Sequence, residues 1–220
     1  MDVYYISLPQ TERPPSPGPF NVLLPFEMVE TNLHKILSRW LKLYDKLEPA
    51  LELFFSATTE NHPYGFERRF LTLAQGLETL HRRSSTDTVM PKHEFENLIK
   101  ELLKACRDKW KPWLKARLNY ANELSLRQRM KELFSPYIHY FGAVNVKTLI
   151  QDIVITRNYL THFDKSLESS AKEGVDLWMI CQKLEALFQL NLLSRLGFTA
   201  EQIFSIEKNY YHFRQKLTMR

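Results

Sequence analysis

The segment that most restricts the fold is residues 175–198, VDLWMICQKLEALFQLNLLSRLGF, because apolar side chains occupy nearly every face of the helix that it predicts. Such a helix is stable only when other elements surround it, so this segment predicts the central helix of a bundle. Gly197 is expected to end it, since glycine readily takes the left-handed conformation of helix ends. Thr199 then begins a short closing helix.

The rest of the chain from residue 26 onward follows a helical period, so the predicted fold class is all-α. Residues 29–44 carry one apolar stripe, Pro49 interrupts, and a short second helix is expected after it. Residues 66–83 predict an amphipathic helix with these inward positions: Phe70, Leu73, Ala74, Leu77 and Leu80.

Further helices are expected after a break near residue 90. The stretch that contains Cys106 and Pro112 reads as helix, with a kink imposed by the proline. Ser125 and Asn145 are predicted N-caps of the two helices that follow.

The N-terminal region differs in composition, since six of the eleven prolines precede residue 26. That density excludes a helix, so residues 1–25 are predicted to be an extended Pro-rich arm and residues 26–220 a single helical domain. The run DVYYISL has strand character; it could pair with a partner or remain from a larger N-terminal region.

The net charge of +5 is compatible with a polyanionic partner. The alternative is that this charge only keeps the protein soluble. Cys106 and Cys181 lie far apart among apolar neighbours, which favours two reduced, buried thiols in a cytosolic protein. The sequence shows no basic-then-apolar pattern at its N-terminus and no apolar run of about 18 residues, so neither a secretory leader nor a membrane span is expected. We therefore expect a soluble cytoplasmic protein without a membrane partner.

Several common sites are unsupported by the sequence. It contains no Gly-rich strand-to-helix turn for phosphates, no H-E-x-x-H and no cysteine pair, so no cofactor and no metal are expected. Glu78 and His81 form one Glu-x-x-His, but a di-iron bundle needs a second copy and further glutamates.

Residues 100–117, KELLKACRDKWKPWLKAR, form a basic stretch with two interleaved tryptophans. Such a stretch could track a phosphate backbone and stack on bases. Alternatively, it is the solvated face of a helix whose tryptophans, Trp110 and Trp113, point inward. The candidate RNA-binding residues are Lys104, Arg107, Lys109 and Lys111.

The run TRNYLTH contains the most specific candidate site, in which Arg157, Asn158 and His162 follow the pattern R-N-x-x-x-H. Arg157 and His162 would lie about 140° apart on an ideal helix, so they converge only if the helix ends or distorts near Leu160. The polar residues that follow favour such an end. The competing interpretation is that both side chains cap helix carbonyls.

The chemistry of these three residues suits a phosphoryl group. Histidine is a common proton donor and acceptor in catalysis, so His162 could take and give the protons of a phosphoryl transfer. Arg157 offers a permanent planar cation, and Asn158, one turn before His162, could orient the ring or a phosphate oxygen.

This motif resembles the R-N-x-x-x-H signature of HEPN domains. The helix FERRFLTLAQGLETLHRR, the basic stretch and the motif helix together are similar to the Apea-like HEPN domain of bacterial abortive-infection proteins, over residues 29 to about 210. The resemblance implies an all-α bundle and a metal-independent endoribonuclease, usually dimeric, that acts in anti-phage defence or as a toxin. It assigns catalysis to Arg157, Asn158 and His162, with Glu78 at an accessory acidic position.

Two features depart from that family. Apea-like proteins generally carry a sizeable β-rich region before the domain, whereas this chain has a short arm. In the toxin branch that pairs with a nucleotidyltransferase antitoxin, a tyrosine stands two places after the histidine, whereas Asp164 stands there in this chain. Control by modification of that tyrosine is therefore not expected.

The resulting hypothesis is cleavage of RNA, such as tRNA or another structured RNA, by attack of a ribose 2′-hydroxyl. A homodimer with a composite site would supply the second proton-transfer group, and a partner protein could regulate it. The alternatives are a non-catalytic HEPN-like module that binds RNA, a nucleotide or a protein, and a purely structural helical protein.

Overall fold

The computed structural model describes residues 23–59, 65–85, 87–141 and 146–218, and these ranges are mainly helical. Four 3₁₀ turns within them lie at Glu30–Asn32, Asp108–Trp110, Ser135–Phe141 and Lys165–Ser170. The helices of the described ranges are α1 (Phe26–Val29), α2 (Leu33–Thr59), α3 (Phe66–Ser84), α4 (Lys92–Ala105), α5 (Lys111–Leu118), α6 (Leu126–Phe134), α7 (Val146–His162), α8 (Gly174–Leu196), α9 (Ala200–Asn209) and α10 (Tyr211–Thr218).

The described ranges contain no strand, and their single β-type pairing is an antiparallel bridge between Thr88 and Glu123. The prediction of an all-α fold is therefore confirmed. The predicted extended arm up to residue 22, with its strand-like run, and the predicted N-cap Asn145 lie outside the described residues.

Helix α8 is the centre of the bundle, as its sequence predicts. More than half of its residues are buried, and it packs against α2, α3 and α10. The rings of Phe54 on α2 and Phe188 on α8 stack with their centroids 4.3 Å apart. The five predicted inward residues of α3 are all buried. Gly76 of α3 faces α2, and a Cβ there would lie 3.4 Å from that of Leu53, an ordinary van der Waals contact.

The helix ends follow the predicted capping residues. Ser125 and Thr199 each accept a hydrogen bond from the backbone three residues ahead and form capping boxes, with Gln128 and Gln202 respectively. Gly197 ends α8 with φ of 92°, a conformation that other residues adopt only with strain. A Cβ at Gly197 would also collide with the guanidinium of Arg39.

Pro49 does not interrupt the helix in which it lies, so the prediction of two separate helices was wrong. Helix α2 runs through it from Leu33 to Thr59. Proline costs a helix interior about 3 kcal/mol, partly through one missing backbone hydrogen bond. The neighbouring Leu47, Ala50 and Leu51 are fully buried, and this packing outweighs the cost. On α3, Arg83 also donates to the carbonyl of Lys46 at 3.0 Å in the affected turn.

Pro112 begins a helix instead of kinking one. Helix α4 ends at Ala105, Cys106 and Arg107 are extended, and Pro112 lies in the first turn of α5, where a backbone N–H is not needed. Cys106 is consequently half-exposed, which corrects the expectation that both thiols are buried. Cys181 is buried on α8 as expected.

Candidate active site on helix α7

Helix α7 continues through the whole motif and ends only at His162. Phe163 takes a left-handed conformation with φ of 51°, and its N–H donates to the carbonyl of Tyr159 at 2.6 Å, which completes the last turn. The expected end near Leu160 was therefore wrong. Arg157 and His162 remain about 140° apart around one regular helix, so a single chain does not bring the two side chains together.

Arg157 is half-buried and lines a cleft of about 450 Å³ between α3 and α7. Glu78, the accessory residue assigned by resemblance, lines the same cleft, as does Arg82 one helical turn further along α3. The remaining lining residues are mostly polar or small: Leu71, Ala74, Gln75, Thr79, Leu126 and Thr161. The cleft thus combines two guanidinium groups with one carboxylate.

Asn158 is the residue that Arg157 contacts. Nη1 of Arg157 donates to Oδ1 of Asn158 at 3.4 Å, which is a long hydrogen bond. The capping interpretation requires Arg157 to bond a helix carbonyl, whereas this bond runs to a neighbouring side chain. Asn158 also precedes His162 by one helical turn, so the amide lies on the same face as the imidazole.

His162 is exposed at the end of α7 and is not among the cleft-lining residues. Asp164 accepts hydrogen bonds from the N–H and hydroxyl of Ser166 and caps the following 3₁₀ turn. These bonds, with a smaller contribution from the charge of His162, hold the pKa of Asp164 below its ordinary value. The position that carries a tyrosine in the toxin branch is therefore used here for capping.

The chain after α7 folds back onto it and fixes its orientation. The backbone N–H of Lys172 donates to the buried hydroxyl of Thr156 at 3.0 Å, and Tyr159 donates to Glu168 at 3.4 Å. Thr161 donates to the carbonyl of Arg157 at 2.7 Å. These contacts hold the motif turn in place.

Arg82 connects the cleft to a charged network that the sequence analysis did not identify. It lies 3.4 Å from Glu78 and 3.0 Å from both Asp87 and Glu123. The one available signal was the spacing of Glu78 and Arg82, which is the i,i+4 spacing of helix ion pairs. Arg82 therefore joins the cleft to the segments on either side of α4 and α5.

Arg129 is the fully buried member of this network, and no sequence signal distinguished it from the exposed arginines. It forms an ion pair with Asp87, and Nη1 donates to Nδ1 of His81 at 3.3 Å. Nε2 of His81 accordingly carries the proton and donates to Glu132 at 2.7 Å. His81 thus joins α3 to α6. Among the described residues, no three His, Cys, Asp or Glu side chains are arranged to hold a metal ion.

The candidate RNA-binding residues lie on α4, on α5 and in the turn between them. Lys104, Arg107 and Lys109 are exposed, whereas Lys111 is half-exposed and pairs with Asp108 at 2.7 Å. The tryptophans do not point inward: Trp110 is 52% exposed and Trp113 is 57% exposed. The interpretation of a solvated face backed by buried tryptophans was therefore wrong.

None of the described helices is both long enough and apolar enough to cross a membrane. Comparison with curated proteins and with solved structures yields no significant match. The family model described as Apea-like HEPN matches residues 71–202, which is more than half of the chain and includes α7, most of α3 and the whole α4 to α8 region. The chain therefore belongs to the Apea-like HEPN family.

Proposed function

We propose that this protein is a metal-independent endoribonuclease that acts in anti-phage defence, as in abortive infection, or as a toxin. HEPN domains are generally ribonucleases of such systems, and this chain keeps the arginine, asparagine and histidine of their motif. The observation that carries the proposal is the position of Arg157, which lines a cleft together with Glu78 while bonded to Asn158.

The cleft is suited to one phosphodiester with its flanking sugars. Its volume of about 450 Å³ falls within the range of small-molecule sites, roughly 300–1,000 Å³. Arg157 would place its planar cation against the equatorial oxygens as negative charge develops on the phosphorus. Asn158 would hold that guanidinium or orient His162.

The proposed step needs one base and one acid. His162 takes the proton of a ribose 2′-hydroxyl, the 2′-oxygen forms a bond to the adjacent phosphorus, and the bond to the 5′-oxygen breaks. An acid on the opposite side protonates the leaving 5′-oxygen. The products are a 2′,3′-cyclic phosphate and a 5′-hydroxyl. The reaction needs no external nucleophile, because the 2′-hydroxyl is already beside the phosphorus.

The regular helix supports a composite site between two chains. His162 lies about 140° around α7 from Arg157, so the two side chains of one chain do not face a common phosphate. A two-fold dimer that places two α7 ends face to face would bring both histidines to one cleft and supply the base and the acid together. The substrate would be RNA, such as tRNA or another structured RNA, and a partner protein could restrain the activity.

The same separation also favours an alternative, in which the domain binds RNA, a nucleotide or a protein without cleaving anything. One experiment separates these functions. Purified protein is incubated with total RNA, with and without EDTA, and fragment ends are mapped for cyclic phosphates. Cleavage that resists EDTA and is lost in His162→Ala supports the nuclease; His34→Ala, which changes another exposed histidine, on α2, is the control. Intact RNA, or unchanged cleavage by His162→Ala, contradicts it.

A further inference from the structure

Helices α4 and α5 form a hairpin, residues 92–118, that projects from the bundle. Neither helix has a buried residue, and the two pack mainly on each other. Their shared contact lies low in the hairpin, where Phe95 and Ile99 of α4 face Leu118 of α5.

The base of the hairpin is held by paired backbone. The N–H of Val89 donates to the carbonyl of Asn122 at 2.8 Å, and that of Leu124 donates to Asp87 at 3.2 Å. The side chain of Asn122 bonds both the N–H and the carbonyl of Met90 at 3.0 Å. The segments before α4 and after α5 therefore lie side by side where the hairpin joins the bundle.

The far end of the hairpin presents two indole rings to solvent. Trp110 lies in the turn after α4 and Trp113 in the first turn of α5, and each is more than half exposed. Each ring also has a cation beside it: Nζ of Lys109 lies 5.1 Å from the centroid of Trp110, and the guanidinium carbon of Arg117 lies 6.0 Å from that of Trp113. Exposed indoles with adjacent cations can contact a base and its phosphate at once.

The charge of the hairpin is concentrated around those rings. Residues 92–118 contain eight Lys and Arg residues against four Asp and Glu residues. Beyond Glu101 the balance becomes six cations against Asp108 alone, and Asp108 is occupied by Lys111. A protein partner would be expected to meet few lysines at the core of its interface, whereas a polyanion is attracted to them.

We infer that the end of the hairpin, from Lys104 to Arg117, is a binding site for unpaired nucleotides, whose bases stack on Trp110 and Trp113. The identity of the strand as RNA rests on the proposed function. Unpaired bases are required because the faces of a base in a duplex are already covered by its neighbours, so an indole reaches them only in loops and single strands.

The hairpin base lies beside the cleft, which links the two sites. Arg82 lines the cleft and contacts Asp87 and Glu123, which flank the hairpin at its base. Helix α4 spans about 20 Å, so the tryptophans would bind the strand at about that distance from the cleft. The hairpin would thus select RNA in which an unpaired segment lies near the cleaved bond.

The test measures binding rather than cleavage. A fluorescein-labelled 2′-O-methyl oligouridylate, which lacks the free 2′-hydroxyl, is titrated with the full-length protein as a single strand and as a duplex with oligoadenylate. We expect clear preference for the single strand, quenching of tryptophan fluorescence, and roughly tenfold weaker binding for Trp110→Ala and for Trp113→Ala. Trp→Phe at either position should retain most of the affinity, because the ring can still stack.

Phe204→Ala on α9 is the matched control, since this ring is 58% exposed and lies outside the hairpin. Equal affinity for single strand and duplex, or unchanged affinity in both Trp→Ala variants, would overturn the site. The proposed function has a separate readout. If the tryptophan pattern holds but the protein cleaves no RNA, the nuclease proposal fails and the site stands. If RNA is cleaved but both Trp→Ala variants bind the single strand with unchanged affinity, the binding site is contradicted and the nuclease proposal stands.

Discussion

Arg157 and His162 lie on one uninterrupted helix, five residues and about 140° apart, with the arginine at a cleft and the histidine exposed at the helix end. A site in which Arg157 and His162 of the same chain converge therefore does not explain the spacing of these two residues in the motif. Two chains that meet at their α7 ends would explain it.

Mixed dimers test that geometry. Dimers of one wild-type and one His162→Ala chain should have much less than half of the wild-type activity, because the composite site needs one histidine as base and the other as acid. Two differently tagged chains allow the mixed species to be purified before the RNA assay. Mixed dimers with His34→Ala should remain fully active. Half activity, or full activity from a protein that is monomeric by ultracentrifugation under assay conditions, would contradict the composite site.

Arg157→Ala should lower the cleavage rate by roughly 100-fold or more, since the guanidinium would act on charge that develops in the transition state. The helix content by circular dichroism should be unchanged, because the side chain is only half-buried and its hydrogen bond runs to the neighbouring Asn158. Arg214→Ala, an exposed arginine on α10, is the control. A near wild-type rate for Arg157→Ala would contradict the proposal that Arg157 stabilises the transition state.

The salt dependence of RNA binding should separate three cations of the hairpin, Lys104, Arg107 and Lys109, from Lys111, which pairs with Asp108. Replacing Lys104, Arg107 and Lys109 with Ser should reduce the slope of log affinity against log salt by about 2, at roughly 0.7 for each phosphate contact with a single strand. Lys111→Ser should change the slope less, because Lys111 is already paired with Asp108. Fluorescence anisotropy over a salt series measures both. An unchanged slope in the triple variant would show that these three residues do not contact phosphates and are only solvated surface residues.

Because Cys181 is buried, the free energy of unfolding should decrease as the pH rises into the alkaline range. Burial raises the pKa of its thiol to about 12, so the folded state keeps the proton that the unfolded chain releases near its ordinary value. The stabilisation is complete below about pH 8.5 and is lost as the pH rises toward the folded pKa, on the order of 1 kcal/mol per pH unit. Urea titrations at several alkaline pH values should show this decline, and Cys181→Ala should flatten it. Cys106→Ala should retain the wild-type decline.

Glu185 should be a strong contributor to stability. Buried on α8, it bonds Arg69 of α3 at 2.6 Å and also pairs with Lys216 of α10. Glu185→Gln leaves two cations without their counter-charge, so we expect a loss of about 2 kcal/mol in the free energy of unfolding, less than for a fully buried pair because both cations are partly exposed. Glu201→Gln, exposed on α9, is the control in the same urea titration. Equal midpoints for the two variants would contradict this role.

The features that sequence predicted best are those decided by local chemistry. Ser125, Gly197 and Thr199 cap helices through bonds to their own neighbours, and the all-apolar run of α8 has no other stable location than the core. The all-α fold followed from the helical periodicity, and the family followed from the resemblance of the motif, α3 and the basic stretch.

The features that sequence did not predict depend on packing between distant segments. Pro49 remains inside α2 because α3 covers that turn, and this contact has no local signal. The outward position of Trp110 and Trp113 follows from the break at Cys106, because it folds α5 back along α4 in a hairpin that has no buried residue. Arg129 has the same residue type as the surface arginines, and only the fold places Asp87 and His81 beside it.

The projection of the α4–α5 hairpin has a consequence for local unfolding. Both of its ends meet at one backbone bridge, and neither helix contributes a buried residue, so the hairpin can open without disturbing the core around α8. Its amide hydrogens should then exchange with solvent far faster than those of α8. A bound strand would slow this exchange most at the hairpin tip. The hairpin would therefore be a cooperative unit of its own, whose order depends on its ligand rather than on the free energy of the whole domain.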